Sequence, residues 1–148
     1  MSTRHRSASE KERHHSKKHE QEEFFATRKE NISLSPVDFF SFGHIIMGMI
    51  IYLLVAWLFA DIPFVQYGAI IIAVIIGIIW EIIENTVFFV HGFKAFENHR
   101  DSVINSFMDV IFDLAGALIA FFIPILWIDI VILVACVIVM LILGSMVK

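Results

Sequence analysis

The chain has 148 residues, 58% of them hydrophobic, with a formal net charge of −4 at pH 7 and a mean hydropathy of +0.78. That composition excludes an ordinary soluble domain and reads as a small integral membrane protein. The net charge says little about partners, because eight of the eleven Lys and Arg residues precede residue 30; a lipid bilayer is the expected surrounding and no nucleic-acid partner is expected.

Residues 1–32 are rich in Ser, Glu, Lys, Arg and His, with almost no aliphatic side chains before Phe24 and Phe25. Such a stretch buries too little apolar surface to fold alone, so a disordered polar tail is expected. A long charged stretch precedes the first apolar run, so no cleavable leader is expected. Asn31-Ile32-Ser33 matches a glycosylation sequon, which would go unused on the cytoplasmic side.

The remainder, 33–148, reads as an all-α domain of four transmembrane helices, a polytopic integral membrane protein. Ser35 as N-cap, Pro36 at the first helical position and Asp38 three residues after the cap announce the first helix. Its span is expected over about 39–60, ending at the turn Asp61-Ile62-Pro63. The second span runs over about 64–90, long enough to cross roughly 30 Å with tilt. Residues 91–100 form an interfacial connector, and Asp101 is placed to cap a third span over about 102–122. A hairpin from Pro124 to Asp129 leads to a fourth span over about 130–147. The lone Cys136 lies in that last span and makes an intrachain disulfide impossible.

Positive charge sets the topology. With the N-terminus cytoplasmic, the tail, the 91–100 connector and Lys148 share one side, which then holds all eleven Lys and Arg residues. Both termini are therefore expected in the cytoplasm, in a multi-pass protein of the cell membrane. Trp57, Tyr67 and Trp127 would mark the outer boundary, and Phe39, Phe40, Phe88 and Phe89 the inner one.

Polar residues inside these spans are costly and need a reason. Asp101, Asn105, Asp109 and Asp113 recur every four residues, with Gly116 three later, and form one stripe on the third helix. Glu81, Glu84 and Asn85 share a face of the second. Counting from the connector at about 1.5 Å per residue pairs Glu84 with Asp109 in depth, and Glu81 with Asp113. His44 approaches from the first helix, and Gly43, Gly48, Gly77 and Gly116 would allow close helix packing nearby. Four ionised, unpaired acids would cost on the order of 10 kcal/mol together. Few cations stand near: His44 within the span, and Arg100, His99 or Lys94 at its mouth. The acids must therefore be protonated, solvated in a cavity, or bound to a cation.

His44 near the start of one helix, an acid on the next, then Arg100 and the string from Asp109 through Asp113 to Gly116 resemble the VanZ-like membrane proteins. The strings WEIIEN and DSVINSFMD are closer still to a related bacterial family of uncharacterised function. The resemblance covers residues 40–122 and implies a fold and a polar site rather than a reaction. Asp113 departs from the usual Asn, and Asn85 from the usual Gln.

The leading functional reading is an intramembrane pocket, open to the cytoplasm, that binds or acts on a lipid or lipid-linked amphiphile with Mg²⁺ or Mn²⁺; whether it is an enzyme stays open. Glu81, Glu84, Asp109 and His44 are the acid, base or ligand candidates. Asn85, Arg100, Asn105 and Asp113 are binding candidates, Arg100 for an anionic lipid headgroup. Glu84, Asp109 and Asp113 are the candidate metal ligands. Two alternatives stand beside it: a small proton or ion transporter, for which a homo-oligomer would complete the path, and an accessory membrane protein that recruits partners through its tail.

Overall fold

The computed structural model describes residues 24–86 and 101–147. Among these, the only regular elements are one 3₁₀ turn at Lys29–Asn31 and four α-helices: α1 Ser41–Leu58, α2 Val65–Thr86, α3 Val103–Phe122 and α4 Leu126–Met146. At 1.5 Å per residue the helices are about 27 to 33 Å long, the thickness of a bilayer's hydrocarbon core. All four are long and apolar enough to cross a membrane, the arrangement of a multi-pass membrane protein.

The expected first-helix signal lies too early in the chain. Ser35 and Pro36 form a bend that leads to Val37, which bridges Phe25, and α1 begins at Ser41. Asp38 still serves the helix start, because its Oδ1 accepts from the N–H groups of Phe40 at 2.8 Å and Ser41 at 3.3 Å. A proline disfavours the helical region for the residue before it, so Ser35 does not open a helix and the chain bends before it turns into α1.

Residues 24–32 are also not a loose tail. Ala26, Asn31 and Ile32 are buried, and the segment is stitched by Ala26 N–H to Val37 O at 2.9 Å and Val37 N–H to Phe24 O at 3.0 Å. Burial of Asn31 removes the sequon from reach by packing alone. Two further boundaries move. Ser102, not Asp101, caps α3, its hydroxyl accepting from the Asn105 N–H at 3.1 Å. The last hairpin occupies only 123–125, so α4 starts at Leu126 and carries Asp129 in its first turn.

α1 packs against each of the other three helices, most extensively against α3, and α4 rests on α1. Met49, Tyr52, Ala69, Ala73, Ala117 and Ala120 form the buried core. The rest is arranged inside out relative to a soluble bundle. Ser41, His44, Glu81, Asn105, Asp109 and Asp113 are buried, while Ile71, Ile75, Ile79, Ile104 and Phe107 face outward. Trp57, Tyr67 and Trp127 are exposed, at the end of the bundle where α1 finishes and α2 and α4 start.

Glycine sets the α1–α3 distance. A Cβ on Gly48 would meet the backbone carbonyl of Asp113, and one on Gly116 would meet the backbone of Ile45 and Met49. Both obstacles are main chain, which cannot swing aside. Gly43, by contrast, has only the Met140 sulfur near it, at 3.7 Å. Gly48→Ala and Gly116→Ala are expected to cost roughly 1–3 kcal/mol or more each through overpacking. Gly68→Ala, with nothing within 4 Å of the added carbon, should instead gain up to about 1 kcal/mol of helix propensity. Thermal unfolding of the three variants in detergent checks this opposition of sign.

Candidate functional site

The site lies at the end of the bundle where α1 and α3 begin and α2 ends. His44, one turn into α1, stands at its centre. Its Nδ1 is 3.2 Å from Asp113 Oδ2, and its Nε2 is 3.5 Å from Glu81 Oε1 and 3.8 Å from Asp109 Oδ2. All four residues are buried, Asp113 completely. Three helices thus deliver one imidazole and three carboxylates to one point.

The register between α2 and α3 follows from Asn85. Its Oδ1 accepts from the Asp101 N–H at 2.8 Å, and its Nδ2 donates to Ser106 Oγ at 3.2 Å and to the Glu81 carbonyl at 3.0 Å. With Asn85 pinned to the start of α3, Glu81, one turn deeper, comes level with Asp109. Gly77, another turn deeper, comes level with Asp113, whose Oδ2 occupies the space a Cβ on Gly77 would need. The expected pairings of Glu84 with Asp109 and Glu81 with Asp113 are therefore displaced by about one turn. Counting depth from the connector could not reveal that a side chain ties the two helix ends together.

The same geometry redistributes the candidate roles. One carboxylate oxygen each from Glu81 and Glu84 and one imidazole nitrogen of His44 lie within 4.8 Å of one another, a spacing that a metal ion could draw together. Asp109 sits beside this trio, with its Oδ1 accepting from the Ser41 hydroxyl at 2.7 Å. Asp113 lies behind the imidazole, on the opposite ring nitrogen. Of the expected metal ligands, then, Glu84 joins the convergent group, Asp109 flanks it and Asp113 orients it. Asn85 has its amide committed to structural bonds. Asn105 is buried, and its Nδ2 has no hydrogen-bond partner among the described residues. Arg100, like His99 and Lys94, lies outside the described residues.

Ser41 and Ser106 carry no role in the sequence reading, and Asp38 enters it only as a helix-start residue. Ser41 is three residues before His44, and Ser106 three before Asp109, so each lies one turn from a polar residue already on the stripe, a signal that spacing does carry. Asp38 completes a relay into the site. Its Oδ2 accepts from the Ser33 N–H at 3.0 Å, and its backbone N–H meets Ser41 Oγ at 3.3 Å. Burial pushes its carboxyl above the usual range, against the hydrogen bonds from Ser33, Phe40 and Ser41 that pull it down. The 24–38 segment is latched to α3 as well, by Ser102 N–H to Ser33 O at 2.7 Å and Ser102 Oγ to Leu34 O at 3.1 Å. A cavity of about 420 Å³ bounded by Glu81, Asn85, Asp101, Val103 and Ser106 adjoins the cluster between α2 and α3.

A sequence profile described as a protein of unknown function, DUF2585, matches residues 23–145. The chain belongs to that family. The match takes in all four helices, the buried cluster and the folded 24–38 segment. No solved structure matches the chain.

Asn85→Ala removes the clamp and leaves the Asp101 N–H and Ser106 hydroxyl to find other partners. A loss of roughly 1–3 kcal/mol in stability is expected, read as a lower melting temperature in detergent, whereas Thr86→Ala on the exposed side of the same turn should change it little.

Proposed function

We propose that this is a multi-pass protein of the cell membrane, with both termini cytoplasmic, whose buried cluster holds a divalent cation and through it engages the headgroup of a lipid or lipid-linked amphiphile. The observation that carries the reading is the setting of His44. Asp113 Oδ2 lies 3.2 Å from Nδ1, so a neutral imidazole that carries its proton on Nδ1 turns its Nε2 lone pair toward Glu81, 3.5 Å away. Carboxylate, histidine and metal in line is a recurrent way to orient a ligand imidazole and raise its basicity.

The donor set is one imidazole with several carboxylates, which suits Mn²⁺ or Mg²⁺ better than a soft metal. A bound dication would offset carboxylate charge that no described Lys or Arg side chain within the spans can offset, and it would accept phosphate oxygens from a headgroup. Asp109, held by Ser41, stands beside the trio as the candidate base. Orientation rests on the positive-inside rule, under which the eleven Lys and Arg residues are assigned to the cytoplasmic side. That side is also where an amphiphile could approach through the cavity between α2 and α3, bounded by the outward-facing Val103. Convergence of His44, Glu81 and Asp109 on one site also supports a relationship to the VanZ-like proteins, since these positions match the family pattern, with Asp113 standing where that family usually has Asn.

The test is Mn²⁺ binding to purified protein in detergent, followed by electron paramagnetic resonance. One tight site per chain is expected. His44→Gln, Glu81→Gln and Glu84→Gln should each weaken it at least about tenfold, and Asp113→Asn, which spares the ligands but releases the imidazole, about 10- to 100-fold. Anionic lipid should stay with the protein in Mn²⁺ and leave it in EDTA. Unchanged Mn²⁺ affinity in folded His44→Gln and Glu84→Gln proteins would sink the proposal.

A further inference from the structure

The opposite end of the bundle holds a second anomaly. Asp129 is the single buried residue of α4, 1% exposed, and neither of its carboxylate oxygens has a hydrogen-bond partner among the described residues. It borders a cavity of about 640 Å³ whose walls include Leu53, Trp57 and Ala120, with Tyr52 and Gln66 as the other polar contributors. An acid so placed needs a compensating donor or charge.

No described Lys or Arg lines the cavity. Every Lys and Arg lies at or before residue 29, in the 91–100 connector, or at residue 148. The connector joins the far ends of α2 and α3, and Lys148 follows the far end of α4. His44 faces the other site, about 9–20 Å away along α1 from the residues that line this cavity. Among the described residues no cationic side chain borders Asp129, which leaves it protonated or open to a cation from outside the chain.

The cavity narrows the choice. At about 30 Å³ per water it is far larger than a few bridging waters would need, and its lining is mostly aliphatic and aromatic, as in sites that bury an apolar ligand body around few polar anchors. Tyr52 and Trp57 add ring faces that favour a cation. No described cation lines it, so a phosphate group would find no partner there. We infer that this cavity is a binding site for an ammonium-bearing amphiphile, with the protonated amine at Asp129 and the hydrocarbon along Leu53, Trp57 and Ala120. The site is separate from the His44 cluster and does not depend on a metal there.

The probe is radiolabelled dodecylamine, measured on the full-length protein immobilised in maltoside micelles, with dodecanol as a neutral competitor of equal length. Saturable dodecylamine binding is expected, with dodecanol competing at least tenfold more weakly. Asp129→Asn should lower amine affinity at least tenfold. Because that change removes an unpaired buried acid, its melting temperature without amine should equal or exceed that of wild type, and dodecylamine should raise the wild-type value only. Leu53→Trp fills the cavity without touching the acid and should also reduce binding, which keeps the test open if Asp129→Asn misfolds. Equal binding by Asp129→Asn, equal competition by dodecanol, or a lower melting temperature for a folded Asp129→Asn protein would overturn the inference. Nanodiscs of phosphatidylglycerol with and without phosphatidylethanolamine then assign the source. Displacement by phosphatidylethanolamine identifies a lipid ammonium headgroup, and its absence identifies a free lipophilic amine, both as forms of the same ammonium site.

Discussion

The close crossing of α1 over α3 is the constraint on which the rest of this structure depends. Gly48 and Gly116 bring two main chains together where any side chain would collide with backbone, and that approach is what lets a short imidazole on α1 touch Asp109 and Asp113 on α3 together. Helices a few ångströms further apart would leave a gap that water or lipid must fill, and the carboxylates would lose the imidazole they surround. Small residues at helix contacts in membranes ordinarily serve packing. Here the same device also brings a polar site together.

A second dependence runs from the loops inward. The 24–38 segment reaches α3 through Ser33 and Leu34 on Ser102 and reaches Asp109 through Asp38 and Ser41. Asn85 closes the same end from α2. The cluster is therefore walled by hydrogen-bonded backbone on the side where the bundle meets its polar surroundings, and Glu84 is less buried than Glu81 in the convergent trio. Buried polar groups are tolerable when such a network satisfies them and expensive when it does not. Both ends keep unpartnered atoms: Asp109 and Asp113 are engaged by Ser41 and His44, although Asp113 Oδ1 and Asn105 Nδ2 are left over, while neither oxygen of Asp129 has a partner among the described residues.

Much of this was legible from spacing. Four-residue recurrence placed Asn105, Asp109 and Asp113 on one face of α3, and apolar runs of bilayer length announced four helices. What eluded spacing were features that depend on partners. Ser35-Pro36 looks like a helix start because the local chemistry is right, yet the long-range bridge from Phe25 engages Val37, and α1 starts only at Ser41. Asp129 looks like a turn residue beside Pro124, and only the packing of α4 on α1 buries it.

Sequence alone determined the four apolar helices of membrane-spanning length, since hydropathy is a property of segments and needs no knowledge of contacts. It also determined which faces carry acids, because helical periodicity is local. Tertiary structure decided the register and the roles. A slide of one turn, set by Asn85 gripping Asp101 and by the glycine-lined crossing, moves Asp113 from facing Glu81 to standing behind His44. That sets it 3.2 Å from the imidazole Nδ1, and a distance of this kind exists only once the helices are packed together.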